Sequence, residues 1–188
     1  IWMTCATPPE DASSDPAPDE GEEISPDARL EDDSRQPEEA GTSRLFRIDP
    51  RLAPGLYVVS TPIGNLRDIT LRALDILASV DVVCAEDTRV AGKLMSAFGL
   101  SARLRPYHDH NGAQARPGLL KELESGGRIA LMSDAGTPLI SDPGYKLVRE
   151  AAELGIPIYA IPGASAPLTA LASSGLPTDR FTFAGFPP

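Results

Sequence analysis

Residues 128–161 read RIALMSDAGTPLISDPGYKLVREAAELGIPIYAI, and they hold one strand–loop–helix–strand unit. Arg128 to Met132 is a short apolar run of strand length. Tyr145 to Leu154 places its apolar residues at helical spacing and is stopped by Gly155. Pro157 to Ile161 is a second β-rich run. Between the first strand and the helix lies a loop, Ser133 to Gly144, with two Asp, two Gly and two Pro in 12 residues. Such a loop is stiff and rich in hydrogen-bond acceptors, suited to a cationic or amine-bearing ligand.

The same alternation runs outward from this unit. Upstream, Leu56 to Ser60 reads as a strand. Leu71, Leu74 and Leu77, with Ala73 and Ala78, form an amphipathic helix that Asp68 or Thr70 can cap. Val82 to Ala85 is a strand, Val90 to Phe98 a helix closed by Gly99, and Arg103 to Tyr107 a short extended piece. Residues 113–124 carry a further helix whose proper start is expected at Pro117, where a missing N–H is tolerated. Downstream, Pro167 to Ser173 is a helix closed by Gly175, and Phe181 to Ala184 is a final strand. Repeated βαβ units of this kind predict an α/β fold, a mostly parallel sheet flanked by helices.

Charge divides the chain. Residues 1–44 carry 13 Asp/Glu against 3 Lys/Arg, whereas residues 45–188 carry 14 of each, so the net charge of -10 belongs to the leader. The acidic, Pro-rich stretch 1–53 has too little apolar surface to offset its ordering entropy and is expected to be disordered. Residues 54–186 are expected to form the domain. Its formal neutrality gives no basic footprint for nucleic acid. Neither a signal peptide nor an apolar run of membrane-spanning length is found, so a soluble cytoplasmic protein is expected. Cys5 and Cys84 make no disulfide framework or zinc spacing, and Cys84, inside an apolar strand, reads as a small buried hydrophobe rather than a reactive thiol. No metal site is expected. The chain opens on Ile1, with Met3 the first methionine, and closes on Pro187-Pro188 just after a strand, so both ends are expected to be those of a fragment.

In an open parallel sheet, ligands bind beyond the carboxyl ends of the strands. The loops expected there are Thr61-Pro62-Ile63-Gly64-Asn65, Glu86-Asp87-Thr88-Arg89, Ser133 to Pro138, and Pro162-Gly163-Ala164-Ser165-Ala166. All are small, polar or backbone-exposing. Steric turn chemistry alone accounts for any one of them, but four on one edge point to a ligand site. None fits G-x-x-x-x-G-K-[ST] or G-x-G-x-x-G, so the P-loop and the ordinary dinucleotide fingerprints are missing.

TPIGNL (61–66), AEDTR (85–89), HDHN (108–111), SDAGTPLISDPG (133–144) and DRF (179–181) together resemble the motif set of the ribosomal RNA small-subunit methyltransferase I family, within the tetrapyrrole-methylase fold family. The resemblance covers about residues 55–186 and is specific because five motifs stand in order. It implies S-adenosyl-L-methionine as cofactor and methyl transfer to a cytidine ribose 2′-hydroxyl of 16S ribosomal RNA in the assembled small subunit. A homodimer is implied, as is a second domain, following the end of this chain, that closes the cofactor cleft. By the same resemblance Pro62, Ile63 and Gly64 form one cofactor wall and Asp134, Ala135 and Gly136 another. Ile140, Ser141 and Asp142 stand at the methionine side, and Gly163, Ala164 and Ser165 complete the near face. Ala164 stands where relatives often have Pro, and Pro187 where they often have Leu.

A base that takes the hydroxyl proton would assist the transfer. His108, Asp109 and Glu86 are the leading candidates, with His110 and Asp87 beside them. Loop hydrogen bonding or phosphate contact is the competing role for the histidines, and helix capping for the two acids. Arg67, Arg89, Arg103 and Arg105 read equally as RNA contacts or ordinary surface charges. Two other readings of the chain remain: a porphyrinoid C-methyltransferase of the same fold, and a non-catalytic ligand- or RNA-binding fragment.

Overall fold

The structure, a computed structural model, describes residues 3–4, 45–140 and 143–185. Apart from Met3 and Thr4, the leader up to Arg44 lies outside the described residues, as do Ser141, Asp142 and Pro187. In chain order the strands are β1 (Met3–Thr4), β2 (Gly55–Val59), β3 (Val82–Ala85), β4 (Leu104–Pro106), β5 (Arg128–Met132), β6 (Ile158–Ile161) and β7 (Thr182–Phe183). The α-helices are α1 (Leu71–Ser79), α2 (Thr88–Ala97), α3 (Gly112–Glu124), α4 (Tyr145–Glu153) and α5 (Ala166–Ser173).

Five strands pair in the order β4-β3-β5-β2-β6, every pair parallel. The expected α/β class therefore holds. The last strand predicted from sequence stands outside this sheet: β7 pairs antiparallel with β1. From β2 the chain moves to β3 and β4 at one edge, then returns to β5 and to β6 at the other. Right-handed crossovers put helices on opposite faces once the direction reverses.

The side chains obey that rule. Tyr57, Val59, Val83, Ala85, Ala130 and Met132 share one core cluster with residues of α1 and α2. Leu56, Val82, Cys84, Ile129 and Leu131 share the other with α3 and α4. Because both faces are covered, the inner strands β2, β3 and β5 are largely buried on both sides, which is why they appear as hydrophobic runs rather than alternations. Cys84 is fully buried, and burial pushes its thiol up to about 12, so it packs as a neutral side chain.

Capping fixes where the helices begin. Thr70 caps α1 by accepting from the Ala73 N–H at 3.1 Å. Asp87 caps α2 through the Arg89 N–H at 2.8 Å, which starts that helix two residues before the expected Val90. Helix α3 departs further from expectation: it begins at Gly112, and Pro117 lies inside it. Ala113, whose carbonyl loses its helical partner at Pro117, is exposed, so water can satisfy it. The start is held instead by Asn111, whose side chain accepts from His108 N–H at 2.9 Å and donates to the Pro106 carbonyl at 2.9 Å.

Residues 45–53, assigned to the leader from sequence, lie against α1. Arg47 and Asp49 donate backbone hydrogen bonds to Asp75 Oδ1 (2.6 Å) and Ser79 Oγ (2.8 Å), and Phe46 and Leu52 pack on the core.

At the strands' amino ends Arg128 grips Asp81, with Nη2 to Oδ1 at 2.7 Å, Nε to Oδ2 at 3.1 Å and its backbone N–H to Oδ2 at 2.9 Å. Hydrogen bonding from the Arg128 side chain holds the Asp81 carboxyl below its ordinary value. A lowered carboxyl pKa stabilises above the ordinary Asp range, and the contribution is lost as pH falls through the folded value. Asp81→Asn is therefore expected to cost under about 1 kcal/mol at neutral pH, because the pair is partly solvated. The gap from the parent protein should close on acidification, as read from denaturant midpoints at several pH values.

Candidate functional site

Loops after the central strands meet at one edge of the sheet. Thr61 and Gly136 form a two-way backbone bridge, Thr61 N–H to the Gly136 carbonyl at 2.8 Å and Gly136 N–H to the Thr61 carbonyl at 3.1 Å. This ties the loop after β2 to the loop after β5. Thr61 is buried, and its hydroxyl donates to the Ser133 carbonyl at 3.1 Å. Ser60 Oγ and Thr137 Oγ1 lie 3.1 Å apart, and Thr137 also reaches the Ala164 carbonyl at 3.4 Å in the loop after β6. On the other side, Asp134 Oδ1 accepts from the Asp87 N–H at 3.1 Å in the loop after β3. Four loops are thus laced by hydrogen bonds.

The position follows from the topology. β2 leads to α1 on one face, while its neighbour β5 leads to α4 on the other. Their loops diverge and open a crevice where ligands of α/β sheets bind.

Close backbone approach explains the small residues. A Cβ on Gly163 would stand 2.7 Å from Ser60 Cβ, so any larger residue drives the β6 loop away from the β2 loop. Gly136 has φ +84, and a Cβ there would press on Ile63 at 3.4 Å. Leu139 holds φ 75 without being glycine, a strained conformation costing on the order of 1–2 kcal/mol. It persists because its side chain packs against the α3/α4 core.

A cavity of about 220 Å³ opens beside the bridge, bringing together Pro62, Gly64 and Asp134 of the sequence-predicted set. Thr61, Leu66, Val90, Lys93, Leu94 and Met132 complete its wall. Sequence reasoning missed the α2 contribution. An exposed apolar Val90 in the first turn of a helix that starts at this edge was the available signal. Ile63, Gly136 and Ala164 adjoin through the contacts above. Ala135 and Ile140 are exposed on the same loop, and Ser165 caps α5 without a side-chain hydrogen bond.

His108 and Asp109 stand elsewhere. They line a second cavity of about 140 Å³, bounded also by Tyr107, Arg116, Gly144 and Tyr145. This cavity lies at the far end of the same Ser133 to Gly144 loop. His110 is exposed, its ring 5.9 Å from that of His108. Glu86 is half-buried just after β3. Asp87 is occupied by Arg89, whose side-chain hydrogen bonds hold its carboxyl down to about 2, so capping and ion pairing account for it. Arg105 pairs with Glu122 at 2.7 Å.

Gly163→Ala should destabilise the protein by about 1–3 kcal/mol through overpacking. The denaturant midpoint reads this, and adding Ser60→Gly should restore part of the loss. A neutral Gly163→Ala would mean that the β2 and β6 loops do not touch.

The chain is similar to known proteins. The chain is 58% identical over 137 residues to the Ribosomal RNA small subunit methyltransferase I of Mesorhizobium japonicum, covering 73% of this chain and 47% of that protein. It is 56% identical over 133 residues to the protein of the same name from Escherichia coli O157:H7, covering 71% and 46%. The chain spans about half the length of the curated relatives it matches. A crystal structure of uroporphyrin-III-C-methyltransferase from Thermus thermophilus aligns with a TM-score of 0.49 at 24% identity, covering 66% of this chain and 53% of that one. The family described as Tetrapyrrole (Corrin/Porphyrin) Methylases matches residues 55–186, most of the chain, and the chain belongs to that family.

Proposed function

We propose that this chain is the cofactor-holding half of an S-adenosyl-L-methionine-dependent methyltransferase that acts on the ribose 2′-hydroxyl of a cytidine in 16S ribosomal RNA. The single observation that carries the reading is the Thr61–Gly136 bridge, with the crevice beside it bounded by Pro62, Gly64 and Asp134. The names of the relatives, both ribosomal RNA small subunit methyltransferases, favour RNA over a porphyrinoid acceptor. The assembled small subunit as substrate, a homodimer of full-length copies and a cytoplasmic location belong to the same proposal.

The residues present fit the cofactor. The cavity has apolar walls at Leu66, Val90, Leu94 and Met132, a carboxylate at Asp134, and loops held clear of side chains at Gly136 and Gly163. At about 220 Å³ it is below the usual range for a whole small-molecule site, as suits one wall of a cleft that a following domain completes. When bound, the cofactor supplies an electrophilic methyl group.

The chain's own contribution is positional. The laced loops hold Asp134 toward the amine-bearing end of the ligand, the end to which the family resemblance also assigns Ile140, Ser141 and Asp142. Pro62, Ile63, Gly64, Ala135 and the loop of Gly163, Ala164 and Ser165 exclude water from the remainder. Holding two reactants aligned is the largest part of what such an enzyme supplies. His108 is the proposed acceptor of the hydroxyl proton, with Asp109 and Glu86 as the other candidates.

Asp134→Ala in the full-length enzyme is expected to weaken cofactor binding about ten-fold or more by calorimetry, as loss of a hydrogen bond to a charged group predicts. Unchanged affinity would remove Asp134 from the site. His108→Ala is expected to lower turnover on small ribosomal subunits about 100-fold with cofactor affinity intact. Full activity would reject His108 as the base, and methylation of a porphyrinoid but not of subunits would overturn the assignment of substrate.

A further inference from the structure

The second cavity is not needed to hold the cofactor, yet it is built from buried and ordered groups. Tyr107, 3% exposed, lines it beside Arg116. Arg116 Nε stands 2.8 Å from Glu150 Oε1, a charge pairing that neutralises both. His108 Nδ1 is buried with no hydrogen-bond partner among the described residues. Buried polar atoms are ordinarily hydrogen-bonded, so Nδ1 is available to a water or to a bound ligand.

At the rim Tyr145 leaves 63% of its surface exposed, unusual for a large aromatic residue at the start of a helix. The Arg149 guanidinium carbon stands 5.8 Å from its ring centroid and braces it. Lys146 and Asp109, both exposed at the rim, oppose each other in charge. With Arg116 matched by Glu150, the cavity is formally neutral, which disfavours a bare phosphate. Its volume of about 140 Å³ suits a single ring.

We propose that this cavity receives the acceptor nucleoside of the RNA, drawn out of its stack, with its base against Tyr145 and its ribose hydroxyl bonded to His108 Nδ1. Unstacked bases on aromatic side chains are the common mode of single-stranded RNA recognition. The placement deepens the proposed function and rests on it. The loop from Ser133 to Gly144 then serves both substrates, Asp134 at the cofactor end and Gly144 at the nucleoside end. Gly144 admits no side chain there, since a Cβ would meet Leu131 Cδ2 at 2.6 Å.

The test uses the full-length enzyme and unmethylated small ribosomal subunits, measuring kcat, KM and cofactor affinity for Tyr145→Ala and Tyr145→Phe. Tyr145 is exposed, so neither change disturbs the core. Loss of base stacking predicts a KM for subunits raised about 5- to 100-fold in Tyr145→Ala, with cofactor affinity unchanged and Tyr145→Phe close to the parent enzyme. Parent-like KM and kcat in Tyr145→Ala would overturn the nucleoside site while leaving the methyltransferase reading standing. A parent enzyme that binds cofactor but methylates no subunit RNA would defeat that reading and this inference together.

Discussion

Two backbone hydrogen bonds between Thr61 and Gly136 hold the site together. They form an isolated antiparallel bridge beyond the parallel β2–β5 pairing, so two loops that leave toward opposite faces are tied at their roots. Without that tie the loops would splay, and the hydroxyl contacts from Ser60, Thr61 and Thr137 would have no fixed partners. Burial of Thr61 and Ser133 makes each of those contacts costly to leave unmade. Glycine at 136 satisfies the positive φ, and the small residue at 163 lets the third loop close in.

The arrangement divides the sheet edge by function. On the α1/α2 side lies the apolar cavity proposed for the cofactor, and on the α3/α4 side the neutral, aromatic-rimmed cavity proposed for the acceptor. The handedness of the crossovers produces this division, since the reversal after β4 sends α3 and α4 to the face opposite α1 and α2. A single loop after β5 borders both. Its strained Leu139, anchored in the core, fixes the loop's course between them.

Most of the sheet was legible in the sequence because buried parallel strands leave unbroken apolar runs, as Val82 to Ala85 and Arg128 to Met132 do. Three of the four loops were legible because Gly and Pro mark them, and the fourth, Glu86 to Arg89, because it follows an apolar strand. Three features were not. Helix α3 begins at Gly112 rather than Pro117 because Asn111 and the Pro106 carbonyl secure its start through contacts that no helical period records. Residues 45–53 precede the first strand read from the sequence and group with the leader on that ground alone, yet Phe46 and Leu52 find core surface that depends on α1 being folded. His108 and Asp109 share a motif-rich edge with Asp134 but fall into a different cavity, because strand order rather than strand sequence decides which loops are neighbours.

Hydrogen–deuterium exchange on the full-length protein, with and without S-adenosyl-L-methionine, tests the laced-loop cradle most directly. A shared cradle predicts slowed exchange together at residues 61–64, 134–137 and 163–166, with little change at the Asp81–Arg128 end of the sheet. Protection confined to one of those loops, or appearing at the opposite end, would contradict a shared cofactor cradle.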